Sequence, residues 1–118
     1  MTPAALLLVS VIGVGELLGA GRPSAPGPVL VRGRLEHSPS GLRLTDDRCD
    51  RPCDEGVALR IPDPARPRAG VQTMLGRSFL AERRGQAVVV TVRARPVYTG
   101  RPPVLRRLEL VDAIAPAP

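Results

Sequence analysis

The chain has 118 residues, which allows a single domain, and its 43% hydrophobic and 24% charged residues lie close to the globular average. All 17 basic residues are arginine, against 11 acidic residues, so the formal net charge is +6. His37 is the single histidine, which excludes a multi-histidine metal site and leaves a Ser-His-Asp site without partners that the sequence can place. Tyr98 and Phe79 are the two aromatic residues, too few for an extended surface that stacks nucleic-acid bases.

The N-terminal segment has the pattern of a targeting signal. Residues 4–15 are apolar and uncharged, Glu16 interrupts the run, and small residues follow up to Ala20. An apolar run of about 7–15 residues followed by small residues is typical of a signal peptide, whereas a membrane-spanning helix needs about 20 apolar residues. We therefore predict a signal peptide over residues 1–20 and export to the periplasm or cell exterior. Since no Lys or Arg precedes the run, an uncleaved membrane anchor over residues 4–20 is the alternative, and a buried core helix is a third interpretation.

A Pro- and Gly-rich linker over residues 21–28 follows, and residues 115–118 form a short tail. Between them, apolar and polar residues alternate with a period of two, which is the pattern of half-buried strands. The expected inward rows are Val29, Val31, Gly33 and Leu35; Leu42 and Leu44; Val57, Leu59 and Ile61; and Val88, Val90, Val92 and Ala94.

The period changes to that of a helix over residues 71–84. Val71, Met74, Leu75 and Phe79 share one side at helical spacing. Gly85 follows as a left-handed stop. The sequence thus predicts one short amphipathic helix between strands 3 and 4.

The C-terminal part is predicted as a loop over residues 96–103 and a last strand over residues 104–114. Leu108 and Leu110 share a face, but Val111 and Ile114 change phase, which favours a strand with a bulge. A terminal helix is the alternative. The fold class is therefore mainly β, with five strands and one helix in residues 29–114.

The order of these elements resembles the oligonucleotide/oligosaccharide-binding (OB) fold, a five-stranded, partly open barrel. The opening strand Val31-Arg32-Gly33-Arg34-Leu35 is similar to the V-x-G-x-L opening of small exported bacterial members, and a mid-strand glycine lets a strand bend around a barrel. The resemblance implies a ligand face in the middle of strands 2 and 3, flanked by the loops after strands 1 and 4.

Cys49 and Cys53 lie four residues apart in an acidic loop. Two cysteines in an exported chain favour a disulfide, and this spacing can reach the required Cα separation. A metal site with neighbouring carboxylates is the alternative, although zinc sites favour two Cys pairs or Cys with His. A redox-active pair is disfavoured because the nearby carboxylates oppose thiolate formation. The carboxylates, Asp46, Asp47, Asp50, Asp54 and Glu55, lack the register of a calcium hand, so we expect a solvated loop paired with Arg48 and Arg51.

Arginine occupies the outward positions of the predicted strands. These positions are Arg32, Arg34, Arg43, Arg60, Arg93 and Arg95. The OB resemblance implies that Arg43 and Arg60 lie centrally on the ligand face, with His37 on one side and Tyr98 and Arg101 on the other. Guanidinium groups suit phosphate and carboxylate ligands. A solvated face is the plainer interpretation, since a chain without lysine must place its solubilising cations on arginine.

The sequence does not identify a specific activity. The interpretation that it supports best is an exported, non-enzymatic binding module without a cofactor. Its ligand is unidentified, and an anionic one, such as an acidic glycan or a nucleic acid, would bind at Arg43, Arg60, Tyr98 and Arg101. A nucleic-acid-binding OB-fold protein is the alternative. We expect His37, at the end of a strand, to be a turn residue without a catalytic role.

Overall fold

The computed structural model describes residues 11–19, 27–39, 41–48, 56–63, 66, 68–86 and 88–116. The helices and strands follow in the order β1 (Val11–Gly13), α1 (Val14–Gly19), β2 (Val29–Ser38), β3 (Gly41–Thr45), β4 (Gly56–Arg60), α2 (Ala69–Arg83), β5 (Val88–Thr99) and β6 (Val104–Pro116). The predicted mainly β class is confirmed. The five predicted strands are β2 to β6, and the extra strand β1 precedes them. The helix predicted between strands 3 and 4 consequently lies between β4 and β5.

Strands β2 to β6 form a closed barrel. They follow one another around it in the order β2-β3-β4-β6-β5, and β5 pairs with β2 to complete the ring. All of these pairings are antiparallel except the parallel one between β4 and β6. The structure is therefore a closed, mixed, five-stranded barrel with an OB-like arrangement.

The inward rows of the strands fill the barrel with aliphatic side chains. The fully buried ones include Val31 and Leu35 on β2, Leu44 on β3, and Leu108 on β6. Alternate residues on these strands point to opposite faces, so a period of two in hydrophobicity places one row inside. The predicted inward rows are confirmed on β2, β3, β4 and β5, although Thr45 on β3, which the alternation places outward, is fully buried.

Helix α2 packs against β2, β5 and β6. Its buried residues are Val71, Met74 and Ser78, and it ends before Gly85, whose φ of 72° is the left-handed conformation expected of a helix stop. Phe79, which we expected on the buried side, is half exposed. The expectation was wrong because the buried stripe runs through residues 71, 74 and 78, and Phe79 lies one position beyond it.

Strand β5 extends farther than the sequence predicts. Residues 96–99, predicted as the start of a loop, pair with β6, and β2 pairs only with residues 88–94. Pro96 lacks an N–H group and is tolerated on the part of the strand that has one described neighbour. The last segment is a strand with register shifts against β5, as the bulged-strand interpretation predicts.

The N-terminal described residues pack onto the barrel. Strand β1 pairs in parallel with β2, and Val14 and Leu17 of α1 join the hydrophobic core. Within the described part of the chain, no helix has the length and apolar character needed to span a bilayer. Residues 1–10 and 20–26 lie outside the described residues, and the predicted signal peptide stays a prediction.

Candidate functional site

Arg43 and Arg60 lie on the outer face of two neighbouring strands. Arg43 on β3 pairs with Ala58 on β4, and Arg60 follows Ala58 by two residues, so all three share one side of the sheet. Arg43 is half-buried, whereas Arg60 is exposed. The two arginines that were predicted to lie at the centre of a ligand face are therefore neighbours on one outer side of the sheet.

Strands β6 and β5 continue this face with three further charges. Arg60 pairs with Glu109, which in turn pairs with Arg95, so the three residues form one row across β4, β6 and β5. Arg107 occupies the adjoining row beside Ala58, and its Nη2 atom lies 3.1 Å from Glu109 Oε1. We call Arg43, Arg60, Arg95 and Arg107 the basic face. Two carboxylates lie among its four cations: Glu109 between Arg60 and Arg95, and Glu36, which pairs with Arg43 on β3.

Two members of this arrangement, Arg107 and Glu109, were missed by sequence reasoning. Their alternation with the buried Leu108 and Leu110 marks both as outward residues, and this signal was present in the sequence. What the sequence could not show is the parallel pairing of β4 with β6, which places these charges beside Arg60.

Tyr98 and Arg101 lie away from this centre. Tyr98 pairs with Leu105 near the start of β6, and Arg101 is exposed in the turn just before that strand. Arg60 lies beside Glu109, four residues farther along β6 than Leu105, which corresponds to about 13 Å of strand. The four predicted ligand residues therefore do not form one compact cluster.

Acidic side chains neutralise part of the expected basic exterior. Arg32 Nε donates to Asp47 Oδ2 at 2.9 Å, and Arg93 Nη2 donates to Asp112 Oδ2 at 2.7 Å. Both arginines lie on the β2 and β5 side of the barrel. Arg60 is exposed and lies in one row with Glu109 and Arg95.

A cavity of about 600 Å³ opens beside Arg60. Its walls are mainly apolar and come from the ends of β3 and β4 and from α2. The lining includes Leu42, Leu59, Ile61 and Leu75, together with the polar residues His37, Arg60 and Asp63. An apolar wall with a few polar groups at its edge is the usual composition of a small-ligand site.

His37 connects β2 to α2. Its Nε2 atom lies 2.7 Å from Ser78 Oγ, and its backbone N–H donates to Glu82 Oε1 at 2.9 Å. The Ser78 Oγ atom also lies 3.0 Å from the Leu75 carbonyl oxygen, to which its hydroxyl donates. His37 therefore links β2 to α2 through hydrogen bonds, whereas we expected a turn residue.

This histidine–serine pair does not have the exposure that a nucleophile needs. Ser78 is fully buried, and the His37 and Phe79 rings lie at 78° to one another with their centres 5.8 Å apart. A substrate could therefore not contact the Ser78 hydroxyl. The hydrogen bonds of His37 with Ser78 and Glu82 hold α2 on the barrel. Sequence reasoning missed the pair because the two residues are 41 positions apart.

The predicted Cys49–Cys53 disulfide lies outside the described residues, as do Asp50, Asp54 and Glu55. Of the loop carboxylates that are described, Asp47 binds Arg32 on β2, so it pairs with the barrel and not within the loop as expected. Among the described residues, no group of three His, Cys, Asp or Glu side chains could hold a metal ion.

Comparison with models of protein families, with curated proteins and with solved structures finds no match for this chain.

Proposed function

We propose that this protein is an exported, non-enzymatic binding module of the OB-fold type that binds an anionic ligand at the basic face. One observation carries the proposal: the exposed Arg60 lies at the edge of an apolar-walled cavity and in one row with Arg95. A guanidinium group presents several N–H donors in a planar fork, which matches carboxylate, sulfate and phosphate oxygens.

The cavity favours a ligand that carries apolar surface beside its negative charge. Leu42, Leu59 and Ile61 would contact the apolar part, while Arg60 would bind the anionic group. A sugar ring with an acidic substituent has this combination, so an acidic glycan is the ligand class that we favour.

Nucleic acid is the second candidate and is less well supported. Binders of single strands gain about 1–3 kcal/mol per base from stacking on aromatic side chains. Tyr98 is the one tyrosine of the chain, and it pairs with Leu105 at a distance from Arg60. Phosphate contacts alone would give weak binding that depends strongly on salt.

Two features support the proposed export of the chain and its proposed place among OB-fold proteins. The apolar run over residues 4–15 and the small residues Gly19 and Ala20 that follow it suit a signal peptide. The closed five-stranded barrel, with its helix before β5, has the element order of an OB fold. Cell fractionation with sequencing of the recovered N-terminus tests this part: recovery of the intact chain from the cytosol would refute export.

The binding proposal is tested by titrating the protein with heparin, as a sulfated glycan, and with single-stranded DNA at several salt concentrations. We expect heparin to bind more tightly, and Arg60→Ala to weaken it about tenfold, since a charged hydrogen bond contributes about 1.5–3 kcal/mol. Arg83→Ala is the matched control, because it removes the same charge from an exposed position on α2. Equal losses in both variants, or no heparin binding at low salt, would refute a specific role of the basic face. Tighter binding of DNA would favour the second candidate.

A further inference from the structure

The cavity beside Arg60 carries one charge of each sign. Among the residues that line it, Arg60 supplies a guanidinium group and Asp63 a carboxylate, and both residues are exposed. Arg60 is the last residue of β4, and Asp63 follows it by three positions. Three residues span at most about 11 Å of chain, so one small ligand can reach both side chains.

The two side chains do not neutralise each other. Among the described residues, ion pairs involve Arg32, Arg48, Arg93 and Arg107, and neither Arg60 nor Asp63 takes part in one. Both charges are therefore available to a ligand that enters the cavity.

The backbone fixes the position of Asp63. Its φ of 52° lies in the left-handed region, which aspartate and asparagine adopt more readily than most other residues. Its carbonyl oxygen accepts a hydrogen bond of 3.0 Å from the backbone N–H of Arg66. These two backbone features keep the carboxylate at the cavity.

A ligand that fills the cavity removes water from the Asp63 carboxylate. A charge that loses water needs a new partner, because an unpaired buried charge is costly. A second anionic group of the ligand would be repelled there. An ammonium group, in contrast, donates charge-assisted hydrogen bonds, which are about twice as strong as those between neutral groups. The cavity is therefore complementary to a ligand that carries charges of both signs.

We propose that the cavity selects an amino sugar with an acidic substituent, which places its ammonium group at Asp63 and its anionic group at Arg60. The apolar face of the sugar ring contacts Leu42, Leu59 and Ile61. This inference rests on the proposed function and narrows it, since the basic face alone would accept any acidic glycan. Asp63 is the residue that discriminates against ligands with negative charge only.

The test compares two forms of one glycan on the full chain. Heparin from which the N-sulfates have been removed carries ammonium groups on its glucosamine rings, and its N-acetylated form carries neutral amides at the same positions. Because the amide keeps an N–H donor, the comparison isolates the positive charge. Binding of labelled fragments of equal length is measured by fluorescence polarisation at low salt and about pH 6, where amines are protonated.

The wild type should bind the ammonium form about fivefold more tightly than the N-acetylated form. Long-range attraction alone gives the opposite order, because the chain has a formal net charge of +6 and the N-acetylated form is the more negative glycan. Asp63→Asn should lose the preference, since asparagine tolerates the same backbone conformation without the charge. Asp112→Asn is the matched control: it removes an equal charge beside Arg93 and should keep the preference.

Arg60→Ala separates this proposal from the proposed function, which requires that the variant bind both forms more weakly. If both forms bind through Arg60 and the wild type shows no preference for the ammonium form, the present proposal is overturned while the proposed function stands. A preference that persists in Asp63→Asn overturns it as well. If neither form binds the wild type, both proposals are overturned.

Discussion

Adding one methyl group at Gly33 tests the packing between α1 and the barrel. A Cβ atom there would lie 2.7 Å from Val14 Cγ2 and 2.8 Å from the Thr45 carbonyl oxygen, both far inside van der Waals contact. Val14 and Thr45 are fully buried, so neither can move aside freely. We expect Gly33→Ala to lower the free energy of unfolding by about 1–3 kcal/mol, the usual cost of overpacking a core.

A double substitution separates the two contacts. Val14→Ala alone removes two buried methyl groups, at about 0.8 kcal/mol each, and leaves a small cavity. In Gly33→Ala/Val14→Ala the added methyl group enters the space that the valine has left, and only the contact with the Thr45 carbonyl remains. The double variant should therefore lose about 1 kcal/mol less than the sum of the two single losses, a coupling typical of residues in contact.

The free energies are measured by urea unfolding followed by far-ultraviolet circular dichroism, because the chain has no tryptophan. Gly76→Ala is the matched control: the same methyl group meets nothing within 4 Å on the exposed side of α2. It should raise the free energy of unfolding by about 1 kcal/mol, since alanine favours a helix interior over glycine. An unchanged free energy of unfolding in Gly33→Ala, or additive losses in the double variant, would refute the contact between Gly33 and Val14.

Three further predictions concern the barrel core, the hydrogen bond between α2 and the barrel, and a surface ion pair. Leu108→Ala should lower the free energy of unfolding by about 2–5 kcal/mol, since Leu108 is fully buried; a loss below about 1 kcal/mol in urea unfolding would contradict its place in the core. Ser78→Ala should lower the free energy of unfolding by about 1 kcal/mol, because it removes the hydrogen bond to His37, and it should leave heparin binding unchanged. Altered heparin binding would mean that this hydrogen bond also shapes the ligand site. Arg93→Ala should change stability by less than about 1 kcal/mol, since its pair with Asp112 is largely exposed, and a larger loss in thermal unfolding would contradict that reasoning.

Much of the local structure could be predicted from the sequence. Alternation alone identified the buried rows, with Val31, Leu44, Val90 and Leu108 all inside the barrel. A strand turns successive side chains to opposite faces wherever it lies, so this pattern is a local property. The end of α2 at Gly85 is local as well, because glycine adopts a positive φ at little cost.

The candidate site was predictable only in part. The outward direction of Arg43 and Arg60 follows from the same alternation, but their neighbours do not. The parallel pairing of β4 with β6 brings Glu109 beside Arg60, although 49 positions separate them in the chain. The distance between Tyr98 and Arg60 depends on the register of β6 against β4. No local sequence pattern shows this register.

From the sequence alone one could predict the five barrel strands, helix α2 and the apolar side of each strand, but not β1, α1 or the extension of β5 through residues 96–99. The tertiary structure alone decided the strand order, the tie between His37 and Ser78, and the burial of Val14 against Gly33. The backbone geometry of a strand or helix is local, so its period appears in the order of apolar and polar residues along the sequence. Contacts between distant residues depend on how all the apolar surfaces of the chain are covered together, and no single segment carries that information.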